Sequence, residues 1–472
     1  MNVAENQVIN DKREIFGWAM YDWANSAFAT TIGTVFLAPY VSSLAAEAAK
    51  VDFLAMHGVV WNAVTDPPLL ISLFGIPIAP DSFMGYCISI SVFLQVFILP
   101  ILGAIADYSH IRKRMMQFFA TIGAVITILM FFVVADIWWM GGLLFIIANL
   151  AFGASIVFYN AYLPDIASED QRDRVSSFGW AMGFLGDGLL LAANLAFYIF
   201  HENLGVPTGL AIRINLASAG VWWLSWSFLT WARLRPRRAH RPLPAGETYF
   251  SAGFKQLGKT VQEIRHFPET LKYLTAYFLY NDGIQTVIAM SSTFAAAPLV
   301  RGGLELDTST LTIVILIIQF VAFFGALFWG RLAGWIGAKG SILVSLVIWA
   351  GVVIYAYFGL QGDTRTVEFM ALGGVIAVVL GGSQAISRSL FAQMIPKGKE
   401  AEYYSFYEVS ERGTSWIGPA LFALVNQLFG SLRPAILSLI FLFVMGLIVL
   451  PFVNVAKAKE DVKAFDQAQA AG

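Results

Sequence analysis

Gly17-Trp18-Ala19-Met20-Tyr21-Asp22-Trp23-Ala24-Asn25-Ser26-Ala27-Phe28 is the stretch that decides how this chain is read. It lies in an apolar segment over about residues 15–41, long enough to cross a bilayer at about 1.5 Å per helical residue. Yet Asp22 and Asn25 stand one to two turns inside it. An ionisable group at that depth is costly unless it faces a bundle interior or a watered cavity. On a helix, Asp22, Asn25, Ser26 and Ala29 share one face. Tyr280-Asn281-Asp282-Gly283-Ile284-Gln285-Thr286 carries a similar pattern much later. Two spanning helices with Tyr and Asp at matching depth, one in each half, predict a duplicated bundle around a central polar site.

Composition agrees. Of 472 residues, 58% are hydrophobic and only 13% charged, about half the share of a soluble protein, so most of the chain is expected in lipid. One cysteine, Cys87, excludes internal disulfides and thiolate metal clusters, and the five histidines fall in loops or at helix ends. No metal or cofactor is expected, and no nucleic-acid partner; the partners are a small-molecule substrate and the bilayer, with the protein a monomer.

Hydropathy predicts twelve transmembrane helices. An N-terminal six-helix bundle covers 1–232, with an external loop at about 42–82 whose prolines argue against a continuous helix. A basic linker follows at 233–270, then a second bundle at 271–456 and a polar tail at 457–472. Of the 30 Lys and Arg, five (Lys50, Arg213, Arg301, Arg365, Arg433) fall on the side opposite the termini. Two, Arg388 and Arg412, fall within spans, and the rest lie on the side of the termini. Positive residues favour the cytoplasm, so both termini are expected there, in the cytoplasmic (inner) membrane. The repeat also shows in residues: Gly103-Ala104-Ile105-Ala106-Asp107 corresponds to Gly330-Arg331-Leu332-Ala333-Gly334, and Ser177-Phe178 to Ser405-Phe406. Parallel halves of this kind are a known transporter plan.

At the glycine–aspartate–basic turn the chain resembles the major facilitator superfamily. Gly103, Asp107, Arg112 and Lys113 fit its pattern of glycine, aspartate and basic residues, although Tyr108 stands where a base is usual. The second copy keeps Gly330, Gly337 and Lys339, with Gly334 in place of the aspartate. The resemblance implies an all-α polytopic fold of two pseudo-symmetric six-helix bundles. It also implies a gating role for Gly103, Asp107, Arg112 and Lys113, with Asp165 a partner for one arginine. A closer likeness is to the autophagy-related vacuolar effluxer-like family. It rests on Tyr21-Asp22-Trp23-Ala24-Asn25-Ser26-Ala27, Phe158-Tyr159-Asn160-Ala161-Tyr162-Leu163-Pro164, Tyr280-Asn281-Asp282-Gly283 and Gly381-Gly382-Ser383-Gln384-Ala385-Ile386-Ser387-Arg388-Ser389-Leu390. Fungal members of that family are amino-acid effluxers of the vacuole.

In the superfamily the first, fourth, seventh and tenth helices line the central cavity, and the four stretches fall on those helices. The implied substrate-binding residues are Tyr21, Asp22, Asn25, Asn160, Tyr280, Asn281, Asp282, Gln285, Gln384 and Arg388. Helix-to-helix hydrogen bonding is the competing use of each Asn and Gln. Buried charge is far costlier, which favours function for Asp22, Asp282 and Arg388. The deep acids are Asp22, Asp187, Asp282, Glu408 and Glu411, against two deep bases. Three acids therefore lack a basic partner, and Asp22, Asp187, Asp282 and Glu408 are candidates for proton coupling. An ion pair of Arg388 with Glu408 or Glu411 is expected, Asp187 is expected to be the most isolated, and Asp22 and Asp282 to face one shared cavity.

The expected activity is secondary active transport by alternating access, not enzymatic catalysis. The solute would be an amino acid or similar zwitterion, its carboxylate meeting Arg388 and its ammonium Asp22 or Asp282, in proton-coupled efflux. An exporter of drug-like or other metabolites, or a nutrient-sensing receptor on a transporter fold, would share most of these features. No GxxxxGK[ST] loop occurs, so ATP-driven transport is excluded within this chain. Trp138-Trp139 and Trp222-Trp223 are expected in interfacial belts.

Overall fold

The computed structural model describes residues 9–471 apart from 63–68, 74, 79, 108–110, 238–245, 247–254, 256–264, 266, 298, 307, 398 and 413–416. Helix α1 (Lys12–Ala27) begins where the Asp11 side chain accepts a hydrogen bond from the Arg13 N–H, 2.8 Å away. It runs through a π-helical stretch, Phe28–Phe36, directly into α2 (Leu37–His57). The result is one helix of 46 residues, Lys12–His57. The loop expected from residue 42 therefore starts only after His57. Residues 42–57 are rich in alanine and contain neither glycine nor proline, so helix persists beyond the lipid-facing part. Gly58 ends it in the left-handed conformation that L side chains avoid, at φ 70°. Beyond it, a small antiparallel hairpin pairs β1 (Ile71–Leu73) with β2 (Ile76–Ile78).

The rest of the first half comprises α3 (Pro80–Asp107), α4 (Arg112–Leu129), α5 (Trp139–Asn160), the short α6 (Leu163–Ile166), α7 (Arg172–Phe200) and α8 (Thr208–Arg233). The second half follows with α9 (Pro268–Ala296), α10 (Thr308–Ile336), α11 (Ala338–Phe358) and α12 (Arg365–Ala392). It continues with α13 (Glu400–Arg412), α14 (Ile417–Phe429), α15 (Leu432–Ser438), α16 (Ile440–Val449) and α17 (Val455–Ala471). Among the described residues, nine helical stretches are long and apolar enough to cross a membrane on length and composition alone. Helices α8 and α9 and the pair α13–α14 lie between them along the chain.

Both ends of the chain lie at one face. Asn10 hydrogen-bonds Ser168 at 2.8 Å, and Lys459 pairs with Glu169 at 3.4 Å. We call this the termini face and its opposite the far face. The segment 457–472, expected as a free tail, belongs largely to α17. There Ala458 and Val462 are buried, and the Phe465 ring stands 5.2 Å from that of Phe267. The start of the basic linker is anchored to α1 by pairs of Arg235 with Asp11 and Arg237 with Glu14, the latter at 2.9 Å. Most of the remaining linker lies outside the described residues.

The two halves meet along α3–α13 and α7–α10. Both seams rest on the glycines aligned above. A Cβ on Gly103 would stand 2.5 Å from the Ala401 carbonyl oxygen, and one on Gly330 would stand 2.7 Å from the Ser177 Cβ. Each copy of the turn thus packs near the start of a helix of the facing half, α13 or α7, so the internal repeat is structural. The tryptophan pairs differ from the belt expectation. Trp139 is exposed, but Trp223 is buried between Phe28 and Phe152, and Trp138 packs edge-on against Phe83. In the first pair one ring faces outward while the other fills the bundle; in the second, Trp222 stacks on Trp23 at 5.6 Å and its indole N–H donates to the Trp23 carbonyl at 3.1 Å.

Candidate functional site

A cavity of about 500 Å³ lies between the halves. Asp22 and Asn25 reach it from α1, Asn160 from α5, Gln285 from α9, Gln384 and Arg388 from α12, and Glu408 from α13. Six of the ten expected substrate residues therefore converge. Tyr21, Tyr280, Asn281 and Asp282 do not line it. Tyr21 is buried with its ring 5.1 Å from Tyr159, and the Tyr280 hydroxyl meets the Ser387 hydroxyl at 2.6 Å. Asn281 accepts from the Gln384 amide at 2.9 Å, so it orients a cavity residue from behind.

Asp282 corrects the shared-cavity expectation. Its carboxylate accepts from the Gly418 N–H at 2.7 Å. Gly418 belongs to α14, so the Asp282 carboxylate ties α9 to the backbone of α14.

Arg388 is held by the opposite bundle. Its Nη1 and Nη2 donate to Asp22 Oδ2 at 3.2 and 3.3 Å, and its Nε donates to the Ser176 hydroxyl at 2.8 Å. Nη2 also donates to the Ser176 carbonyl at 2.8 Å, while the Trp18 ring centre lies 4.9 Å from the guanidinium carbon. Tyr159 donates to the same Asp22 oxygen at 2.7 Å. The pair fits because α7 has no side chain there: a Cβ on Gly179 would lie 2.6 Å from Asp22 Oδ2. Arg388 thus pairs with Asp22, where Glu408 or Glu411 of α13 was the expected partner. Glu408 instead accepts from the Asn160 amide at 2.8 Å, and the Glu411 side chain lies outside the described residues.

A second cavity, about 310 Å³, continues toward the far face and shares Ser26, Trp180, Phe184, Gln285 and Leu380 with the first. Asp187 lines it. The Thr30 hydroxyl donates to Asp187 Oδ2 at 2.5 Å, and the Gln319 amide donates to the same oxygen. The other oxygen, Oδ1, is buried without a partner. Asp187 is therefore not isolated, but the partners that hold it carry no charge.

Toward the termini face the cavity is closed by contacts that cross between the halves. Arg112 Nη1 donates to Asp165 at 3.1 Å, and its Nη2 donates to Glu400 of the second half at 3.3 Å. Arg172 donates to the Ala392 carbonyl at 3.0 Å, and Ser389 donates to Asp173 at 2.5 Å. Lys113 stays within the first half, donating to the Leu234 carbonyl at 2.6 Å. The expected pairing of Asp165 with an arginine is present. The side chain of Asp107 lies outside the described residues. Arg112→Gln removes the cation between two buried carboxylates and is expected to favour parting of the halves at this face. A cysteine at Asn160 in a Cys87→Ser background should then label several-fold faster from the termini face than it does with Arg112 intact. Unchanged labelling would assign Arg112 to packing alone.

Sequence reasoning missed Ser176, Thr30, Glu400 and Gln319. A lone Gln in the apolar run of α10 was the one readable signal, because an unpaired amide in a spanning helix seeks a partner.

Over residues 10–463 the chain matches the family described as "Vacuole effluxer Atg22 like". It is 30% identical over 439 residues to the MFS-type transporter YxiO of Bacillus subtilis (strain 168), covering 92% of this chain and 94% of that one. Autophagy-related protein 22-1 of Penicillium rubens is 26% identical over 551 residues, with 96% and 92% covered. Among solved structures, the human organic anion transporter MFSD10 aligns with a TM-score of 0.63 at 13% identity, covering 95% of this chain and 100% of that one. The major facilitator proton:xylose symporter XylE aligns at 0.61 and 14% identity, covering 96% and 98%. Identities that low show shared fold, here two six-helix bundles of the major facilitator type. With its profile matched over nearly the whole length and its relatives transporters, the chain belongs to the Atg22-like vacuole effluxer family of major facilitator transporters.

Proposed function

We propose that this transporter moves a small zwitterion, an amino acid being the simplest, in proton-coupled export by alternating access. The reading rests on one observation: at the central cavity the ion pair of Arg388 with Asp22 joins the second half to the first. A bound carboxylate can take guanidinium bonds from Asp22, and a bound ammonium can take the carboxylate that is released. The same exchange loosens a link between the halves, so binding and conformational change share one contact. Asp187, Asp22 and Glu408 are the carboxylates that could carry the proton.

The excess of Lys and Arg at the termini face supports a cytoplasmic position for it, in a cytoplasmic membrane. Closure at that face then corresponds to the state from which solute leaves. Counterflow of labelled neutral amino acids into preloaded proteoliposomes tests the reading. Exchange of amino acids, but not of their decarboxylated or deaminated analogues, is the expected result. Equal exchange of amine-free anions would sink the zwitterion, and absence of exchange for any amino acid would sink this substrate class.

A further inference from the structure

Outside the central cavity, a groove of about 530 Å³ lies at the termini face where α1 and α7 begin and α10 ends. It straddles the seam between the halves, over the tight Gly330–Ser177 contact. Lys12, Arg174 and Arg331 line it and are exposed. The carboxylate in the lining, Asp170, is already engaged, accepting from Ser168 at 2.5 Å and from Gln171 at 3.0 Å. Those hydrogen bonds hold its carboxyl below the usual range, so it stays ionised, and the lining still carries an excess of positive charge. Below the cations the walls are the half-buried apolar side chains Ile15, Phe16, Phe178 and Leu327.

The outer edge of α10 shows what the groove opens onto. Phe324, Phe328 and Trp335 are 68%, 50% and 77% exposed, and with Arg331 they follow the spacing of one helix face. In a spanning helix such a face meets lipid, and Trp335 near its end suits the interface. Arg331 is thus a cation at the top of a lipid-facing apolar row, beside two more cations. A soluble anion would use the charges and leave the apolar walls wet; a lipid with a negative headgroup uses both.

We propose that this groove binds one anionic phospholipid, its phosphate among Lys12, Arg174 and Arg331 and an acyl chain along Phe328 and Phe324. The site is independent of what the central cavity carries. Because its cations come from both halves, the lipid favours the conformation in which the halves meet at the termini face, as any ligand favours the state it binds better.

The full chain in detergent, exchanged into phosphatidylglycerol or phosphatidylcholine and measured by native mass spectrometry, tests this. Phosphatidylglycerol should be retained on the parent protein in preference to phosphatidylcholine. Arg174→Gln and Arg331→Gln should each lower that retention about five-fold, the effect of one cation near a membrane surface. The control Arg13→Gln/Arg114→Gln removes two exposed cations outside the groove at the same face and should leave retention unchanged. An equal loss in the control would reduce the effect to diffuse surface charge and overturn the site. Displacement of the lipid by inorganic phosphate or glycerophosphoglycerol at matched concentration would mark a soluble-anion site and overturn the lipid assignment. Melting of all variants in phosphatidylcholine checks that they remain folded, which their exposure predicts.

Discussion

Arg388→Gln is expected to destabilise the protein by about 3–5 kcal/mol and to abolish transport. The arginine is buried, and its guanidinium satisfies Asp22, Ser176 and Asn160 of the opposite bundle. Its removal leaves the Asp22 carboxylate buried and opposed only by the Tyr159 hydroxyl among its described partners. Losing one member of a buried pair costs far more than losing both, because the survivor keeps its desolvation penalty. Asp22→Asn placed on top of Arg388→Gln should therefore recover much of the melting temperature. Transport should not recover, since neither the anion site nor the cation site remains. If the double variant melts as low as the single one, Arg388 supports the fold through its contacts with Ser176 and Trp18 more than through charge. If the double variant transports normally, the pair is outside the mechanism.

Asp187→Asn carries the second large effect. Thr30 and Gln319 donate to one oxygen of this carboxylate, and its other oxygen is buried without a partner. An asparagine carbonyl can accept the same two bonds, so folding stability should stay within about 1 kcal/mol of the parent. What the substitution removes is the capacity to take up and release a proton between the central cavity and the far face. Proton-driven accumulation should fall at least about tenfold, which corresponds to about 1.4 kcal/mol of lost coupling, while counterflow survives. Accumulation at the parent level would leave Asp187 a packing group and move the coupling role to Glu408 or Asp22. Loss of counterflow together with accumulation would place Asp187 in solute binding.

How far the sequence reached depended on the range of the physics involved. Crossings were legible because lipid imposes length and apolarity on each helix separately. The doubled glycine turn was legible because Gly103 and Gly330 answer the same steric demand in two places. Deep charge marked the cavity on the same ground, and Asp22, Arg388 and Glu408 do meet there. Pairing was not legible: nothing local tells Arg388 to choose Asp22, 366 positions away, over Glu408, which is much nearer in the chain. The choice follows from the bare backbone at Gly179, which lets α1 and α7 bring Asp22 and Ser176 to one guanidinium. Asp282 misled for a related reason, since its carboxylate is taken up by the backbone N–H of Gly418. The length of the first helix was misjudged because the prolines of 42–82 were read as barring helix throughout, whereas the first of them, Pro67, comes only after His57.

That helix has a mechanical meaning. From Asp22 to His57 there are roughly 50 Å of continuous helical turns, with one end at the central cavity and the other well past the apolar zone. Its base is clamped by α7 and α8, so its tip moves as the needle of a dial moves with its spindle. A rotation of the first bundle by about 10° about the cavity would sweep the tip by roughly 9 Å over a lever of that length. Displacements near Asp22 of an ångström or two are hard to see in a membrane. At His57 the same motion lies within easy reach of distance measurements between labels, which makes the outer end of this helix the natural place to watch the transporter turn over.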